Sequence, residues 1–332
     1  MNQNGASMPR FSLRESTAMQ TKLTHGRAVA LMVLVTLMWS TAGVVTRHLE
    51  AARAFEITFW RSFFTAASLL VILPLWQGKG VWTRMRKSGW VLWASGACWA
   101  VMFTAFMVAL TLTTVANVLI TLAAGPLLTA VVARVVTGHR LPRRTWVAIV
   151  VAGLGIGWMF ASQLAAGSVT GTLVAFCVPM AAAANWTLVQ RNKLKASTPD
   201  ATQQPPVDLV PAVLIGAMLS TLVTLPLAWP FSASGHDLWL LGGLGAFQLA
   251  VPCVLSVLCA RVLSAPEVSL LALLEVLFGT LLAWVGAGET PGGHVLSGGG
   301  LVILALLANE YLGWRERCRV SDDDLGSPPI VA

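Results

Sequence analysis

Ten apolar stretches run through this 332-residue chain, and the loops between them carry basic charge on alternate sides. A spanning helix needs about 20 mainly apolar residues, because each residue rises about 1.5 Å across a hydrocarbon core about 30 Å thick. Most of the stretches reach that length, so the chain reads as an all-α integral membrane protein with its functional groups between helices. Charged residues make up 11%, against about 25% in a soluble domain, too few to cover a soluble fold of this size. The net charge of +8 is spread over short loops and forms no single patch. That pattern points to a lipid bilayer as partner and away from nucleic acid. Cys98, Cys177, Cys253, Cys259 and Cys318 form no Cys-x-x-Cys pair, which argues against both a zinc site and a disulfide framework.

The helices are expected near 28–46, 55–76, 89–110, 113–136, 145–160, 169–190, 209–229, 237–260, 266–285 and 295–314. Residues 1–27 read as a polar, basic cytoplasmic tail, and 315–332 as a disordered one carrying Asp322, Asp323 and Asp324. The apolar run from Ala28 lacks a small-x-small cleavage site and reads as a retained first helix. With the amino terminus inside, cytoplasmic segments hold 19 of the 22 Lys and Arg. The outer loops hold Arg47 and Arg53, and Arg61 lies within a helix. Short basic loops stay cytoplasmic, so both termini are expected inside, at the inner membrane.

Five helices per half is an odd number, and a duplicated odd unit inserts its second copy upside down. Ala116–Leu141 aligns without a gap on Pro266–Pro291 at an offset of 150. The identical pairs are Val118/Val268, Leu127/Leu277, Ala133/Ala283, Val135/Val285 and Gly138/Gly288. Gly138-His139 and Gly288-Glu289 end helices at the same register. The expected halves are 28–160 and 161–314.

Several motifs point the same way. They are Trp39-Ser40-Thr41, Arg61, Ala124-Gly125-Pro126 with Gly138, and Ser264-Ala265-Pro266 through Leu274-Glu275 with Gly288-Glu289. In these the chain resembles EamA-type members of the drug/metabolite transporter superfamily over about 28–314. The resemblance implies a ten-helix carrier made of two five-helix repeats. Two positions depart from the pattern: His139 replaces a Glu, and Val276 replaces a Pro. Val276 argues against a proline-broken ninth helix.

An ionisable group at mid-bilayer costs about 2.5–3.5 kcal/mol on insertion scales. Glu275, in the middle of the ninth helix, is the clearest case. It could take up a proton or bind a cationic group, or it could fix helix packing. Gly279, one turn on, would open space beside it. Arg61 could pair with Glu275, bind a substrate carboxylate, or snorkel to the interface. Gly125-Pro126 and Pro252 are candidate helix breaks, and Pro179 a third. Gln248 and Asn117, with Thr104, Thr121 and Asn185, could line a cavity or hold helices together. Trp39, Trp60 and Trp99 lie deeper than the interface belts and could stack on a ligand. Glu267, Glu289 and Glu310 read as solvated charges near helix ends.

These residues suit a secondary carrier that moves a small metabolite (amino acid, organic acid or drug-like solute) by alternating access. Efflux and proton coupling are the expected mode. A membrane-embedded lipid-modifying enzyme is the alternative. It would need clustered acid, base or metal groups, yet His25, His48, His139, His236 and His294 all fall in tails or loops. No metal or cofactor is expected. A channel lacks a repeated filter or charge ring. Gly153-x-Gly155 and Gly298-Gly299-Gly300 read as close helix packing and not as a nucleotide loop. Oligomeric state stays open, a homodimer included.

Overall fold

The computed structural model describes residues 23–46, 48–113, 115–138, 141–160, 169–196, 207–287 and 292–326. Among them there is helix and no strand, as hydrocarbon requires of a chain that must satisfy its own backbone. We label the long helices in chain order. α1 is His25–Thr46, interrupted at Thr41, and α2 is Ala54–Gln77. After a short helix, Val81–Lys87, comes α3, Trp90–Leu112. α4 is in two pieces, Val115–Leu122 and Gly125–Thr137, and α5 is Arg143–Phe160. α6 is Val169–Ala196 and α7 is Pro211–Ala228. α8 is Gly235–Ala260 with a π-helical middle, Leu244–Ala250. α9 is Ala265–Ala272 followed by Leu274–Ala287, and α10 is Gly293–Gly326.

Nine of these are long and apolar enough to cross a membrane. The exception among the described residues is α5, whose 18 residues begin with Arg143 and Arg144. The residues after Phe160, expected as its extension, lie outside the described ones, as do residues 1–22 and Gly288-Glu289. α10 continues past its expected end, through Gly326. Residues 315–320 are mostly Arg and Glu with good helix propensity, so the helix outlasts its apolar stretch.

Helix packing follows small residues. A Cβ at Gly155 would lie 2.9 Å from the Gly298 carbonyl, and one at Gly298 2.5 Å from the Gly155 carbonyl, so α5 and α10 touch backbone to backbone. α3 meets α7 at Gly96 and Gly216, where an added Cβ would come within 2.5 and 2.3 Å of Ile215 and Trp99. α8 meets α2 at Gly245, where it would come within 2.6 Å of Phe64. α3 also packs on α6, α8 on α1, α4 on α6, α9 on α1, α2 on α7, and α4 on α9.

The two broken helices share a register. Ala123 and Ala124 donate to Ile120 and Thr121 at 3.1 Å, three residues back, and close α4's first piece in a tight turn. Leu273 donates to Leu270 at 3.2 Å in the same way. Pro126 sits at the start of α4's second piece. α9 has no proline there and breaks all the same, with its first piece packed on α1, α4 and α6 and its second on α1. In α8, Pro252 cannot donate to the Gln248 carbonyl four residues back, and the chain widens into the π segment that holds Gln248.

Gly155→Leu and Gly298→Leu should each lower apparent stability in detergent by about 1–3 kcal/mol through overpacking. Gly153→Leu should leave it unchanged, since nothing lies within 4 Å of its added Cβ. Thermal unfolding followed by fluorescence checks both.

Candidate functional site

The polar residues of the bundle interior converge from α1, α2, α3, α8 and α9. Arg61 is 8% exposed, about 10 Å along α2 from its start at 1.5 Å per residue. One guanidinium nitrogen donates to Gln248 Oε1 at 3.1 Å, and another lies 3.3 Å from the Met107 sulfur on α3. The Gln248 amide donates onward to the Trp39 carbonyl at 2.9 Å. Thus Gln248 lies between α2 and α1, presented by the π segment of its own helix.

Glu275 stands in the first turn of α9's second piece and is partly exposed. Arg61 and Glu275 lie within each other's electrostatic reach, but their charged atoms do not come within the 4.0 Å of an ion pair. Nothing lies within 4 Å of a Cβ at Gly279, so the space expected one turn beyond Glu275 is present. The snorkelling alternative for Arg61 does not fit a guanidinium this deeply buried and bonded to α8.

Other candidates fall elsewhere. Trp99 is 3% exposed, its ring 5.7 Å from Trp186 and 5.5 Å from Phe103, packed between α3 and α6. Asn185 accepts from Ser95 at 2.6 Å across the same interface. Thr104 and Ser62 meet Ser220 at 3.0 and 2.9 Å and join α2, α3 and α7. Trp60 packs among Phe59, Phe63, Phe64 and Phe231. Gly125 and Pro126 are buried, with Ser269 of α9 3.4 Å from a Cβ at Gly125. Asn117 lies on α4, its side chain outside the described residues, and His139 and Glu289 lie outside them entirely.

Sequence reading missed two buried acids at the end of the bundle away from most of the basic loops. Asp237, at the start of α8, accepts the backbone N–H groups of Glu50, Ala51 and Ala52 at 2.8–3.0 Å and of Ser234 at 3.2 Å. Glu56, at the start of α2, accepts from the N–H groups of Ser232 and Ala233 and the Ser232 hydroxyl at 2.8–3.0 Å. Each carboxylate sits near a helix N-terminus, where negative charge is favoured, and each satisfies the loop before the other's helix. Their signal in the sequence was position, an acid in the first turn after Arg53 and after Ser234.

At the basic end a cleft of about 300 Å³ is lined by His25, Arg144, Gln190, Lys193 and Glu267, among others. His25 is 3.4 Å from Glu310. Ligand-capable atoms of His25, Glu267 and Glu310 lie within 4.8 Å of one another. This grouping corrects the reading of Glu267 and Glu310 as merely solvated. It is also the cluster among the described residues with the donor types for a metal, although Glu267 already accepts from the Ser264 N–H at 2.8 Å.

Asp237→Ala should lower apparent stability by about 2–3 kcal/mol, because buried N–H donors lose their acceptor. Glu50→Gln, at an exposed side chain, should change it by less than about 0.5 kcal/mol. Thermal unfolding of the two variants side by side tests the difference.

Residues 26–161 match the model of the EamA-like transporter family. A solved crystal structure of a protein is similar over 87% of this chain and 99% of its own, with a TM-score of 0.69 at 17% identity. At that identity the likeness speaks for the fold alone. Among curated proteins, none matches.

Proposed function

We propose that this EamA-like membrane protein is a secondary active carrier moving a small metabolite by alternating access. One observation carries the reading: a charged and amide-bonded cluster, Arg61, Gln248 and Glu275, is held inside the bundle where helices of both halves meet. Charge is costly inside a bilayer, and an ionisable residue there is by default a candidate for a solute or ion path.

In this reading the ten helices are two inverted five-helix repeats, α1–α5 and α6–α10. The packing supports it. Exchanging each helix with the one five places along turns α3 on α6 into α8 on α1. It turns α3 on α7 into α8 on α2, and α4 on α6 into α9 on α1. The pairs α2–α7, α4–α9 and α5–α10 map onto themselves. The breaks in α4 and α9 follow Leu122 and Ala272, 150 residues apart. Gly96 and Gly245 occupy matching crossings 149 residues apart. A two-fold relation of this kind lets the halves rock around a fixed centre.

Transport runs outward across the inner membrane, both termini cytoplasmic, with Glu275 carrying a proton inward. Proteoliposomes with an imposed pH gradient test this. Solute counterflow should be saturable, and Glu275→Gln should abolish its response to the gradient. Equal uptake with and without the gradient would remove proton coupling. Single-channel currents, or lipid product made by the purified protein, would replace the carrier with a channel or an enzyme. Tags at the two ends should react from the same face of sealed vesicles.

A further inference from the structure

Arg61 has more donors than acceptors. A guanidinium carries five N–H groups and stays charged at any accessible pH. Here one donor set reaches Gln248 Oε1, a good neutral acceptor, and another meets a thioether sulfur, a weak one. The Nε–H has no acceptor among the described residues, although the side chain is more than nine-tenths buried. No carboxylate oxygen among the described residues lies within 4.0 Å of it. A buried donor without a partner costs about 1–3 kcal/mol, more for a charged group, so the fold maintains a cation that it does not neutralise locally.

We propose that Arg61 is the docking point for the carboxylate of a small organic solute, with Gln248 holding the guanidinium in place. The Nε–H and one Nη–H share an edge of the planar fork, the geometry that grips a carboxylate with two parallel hydrogen bonds. On that edge the neighbour of Nε is Nη2, the nitrogen that also serves Gln248, while Met107 sits against Nη1 at the other corner of the fork. Arg61 is a single cation whose hydrogen-bonding contacts, Gln248 and Met107, are neutral, so it matches one negative charge and suits monocarboxylates, whether plain or carrying an amine. The apolar part of the solute meets Trp39 and Phe103, both partly exposed, with Phe103 one turn from Met107 on α3. This deepens the carrier reading and rests on it for the route by which a solute reaches Arg61.

The test is binding, read as a thermal shift of the purified full chain in detergent. The probes are monocarboxylates of three to ten carbons, their α-amino acids, and the matched amides and amines. At least one carboxylate-bearing probe should stabilise the protein while its amide and amine do not. Arg61→Gln should weaken that binding about tenfold or more. Gln248→Glu keeps Arg61 and supplies an internal anion, so it should raise the unfolding midpoint and abolish the shift. The proposal falls if no carboxylate binds, if amides or amines bind as well, or if the shift survives in both variants. Carboxylate binding without counterflow in liposomes would keep this site and sink the carrier. Counterflow of amines or amides untouched by Arg61→Gln would keep the carrier and sink this site.

Discussion

Hydrocarbon offers no partner to a polar group, so every charge or amide inside this bundle must find one on another helix. The interior is organised around that demand. Gln248 faces two ways, accepting from Arg61 and donating to Trp39, and so binds α8 to α2 and to α1. Ser220 does the same for α2, α3 and α7. The hydrogen bonds also settle which residues face inward, because a slip of one residue along α8 would strand both an amide and a guanidinium.

Close approach makes such bonds possible. Gly155 against Gly298, and Gly96 beside Gly216, bring backbones near enough that a single methyl would clash. Without a hydrophobic drive between helices in lipid, dispersion at these contacts must supply much of the association. Where regular helix would put groups out of line, the chain departs from it. The π segment of α8 holds Gln248, and the turn after Ala272 leads directly into Glu275. The two buried acids then fasten one end of the bundle, loop to helix, through backbone N–H groups of the opposing loops.

How much was legible beforehand varied with the kind of signal. Spans were legible because apolar length is a local property, and their ends agree to a few residues, apart from α6 and α10. Arg61, Gln248 and Glu275 stood out because charge and amide are rare in such segments. Their partners were not legible: Gln248 lies 187 positions from Arg61 and 209 from Trp39. Trp99 looked like the other deep tryptophans but packs between α3 and α6, since rotation about a helix axis decides which face it shares. Asp237 and Glu56 went unnoticed because an acid near a helix start looks solvated until the opposing loop is known. The grouping of His25, Glu267 and Glu310 depends on three helix ends far apart in the chain.

By itself the amino-acid sequence determined that the chain is helical and membrane-spanning and which loops carry the positive charge, and it offered Gly125-Pro126 as a candidate break in α4. Those follow from hydropathy, charge and the missing proline donor, all read within a turn or two. Only the tertiary structure decided that α9 turns as well without a proline, that α8 widens beneath Gln248, and that Arg61 meets an amide and a sulfur and not the Glu275 carboxylate. Arg61's amide partner lies 187 residues away and its sulfur contact 46, and α9 packs on α1 and α4, distances that a reading within a turn or two does not reach.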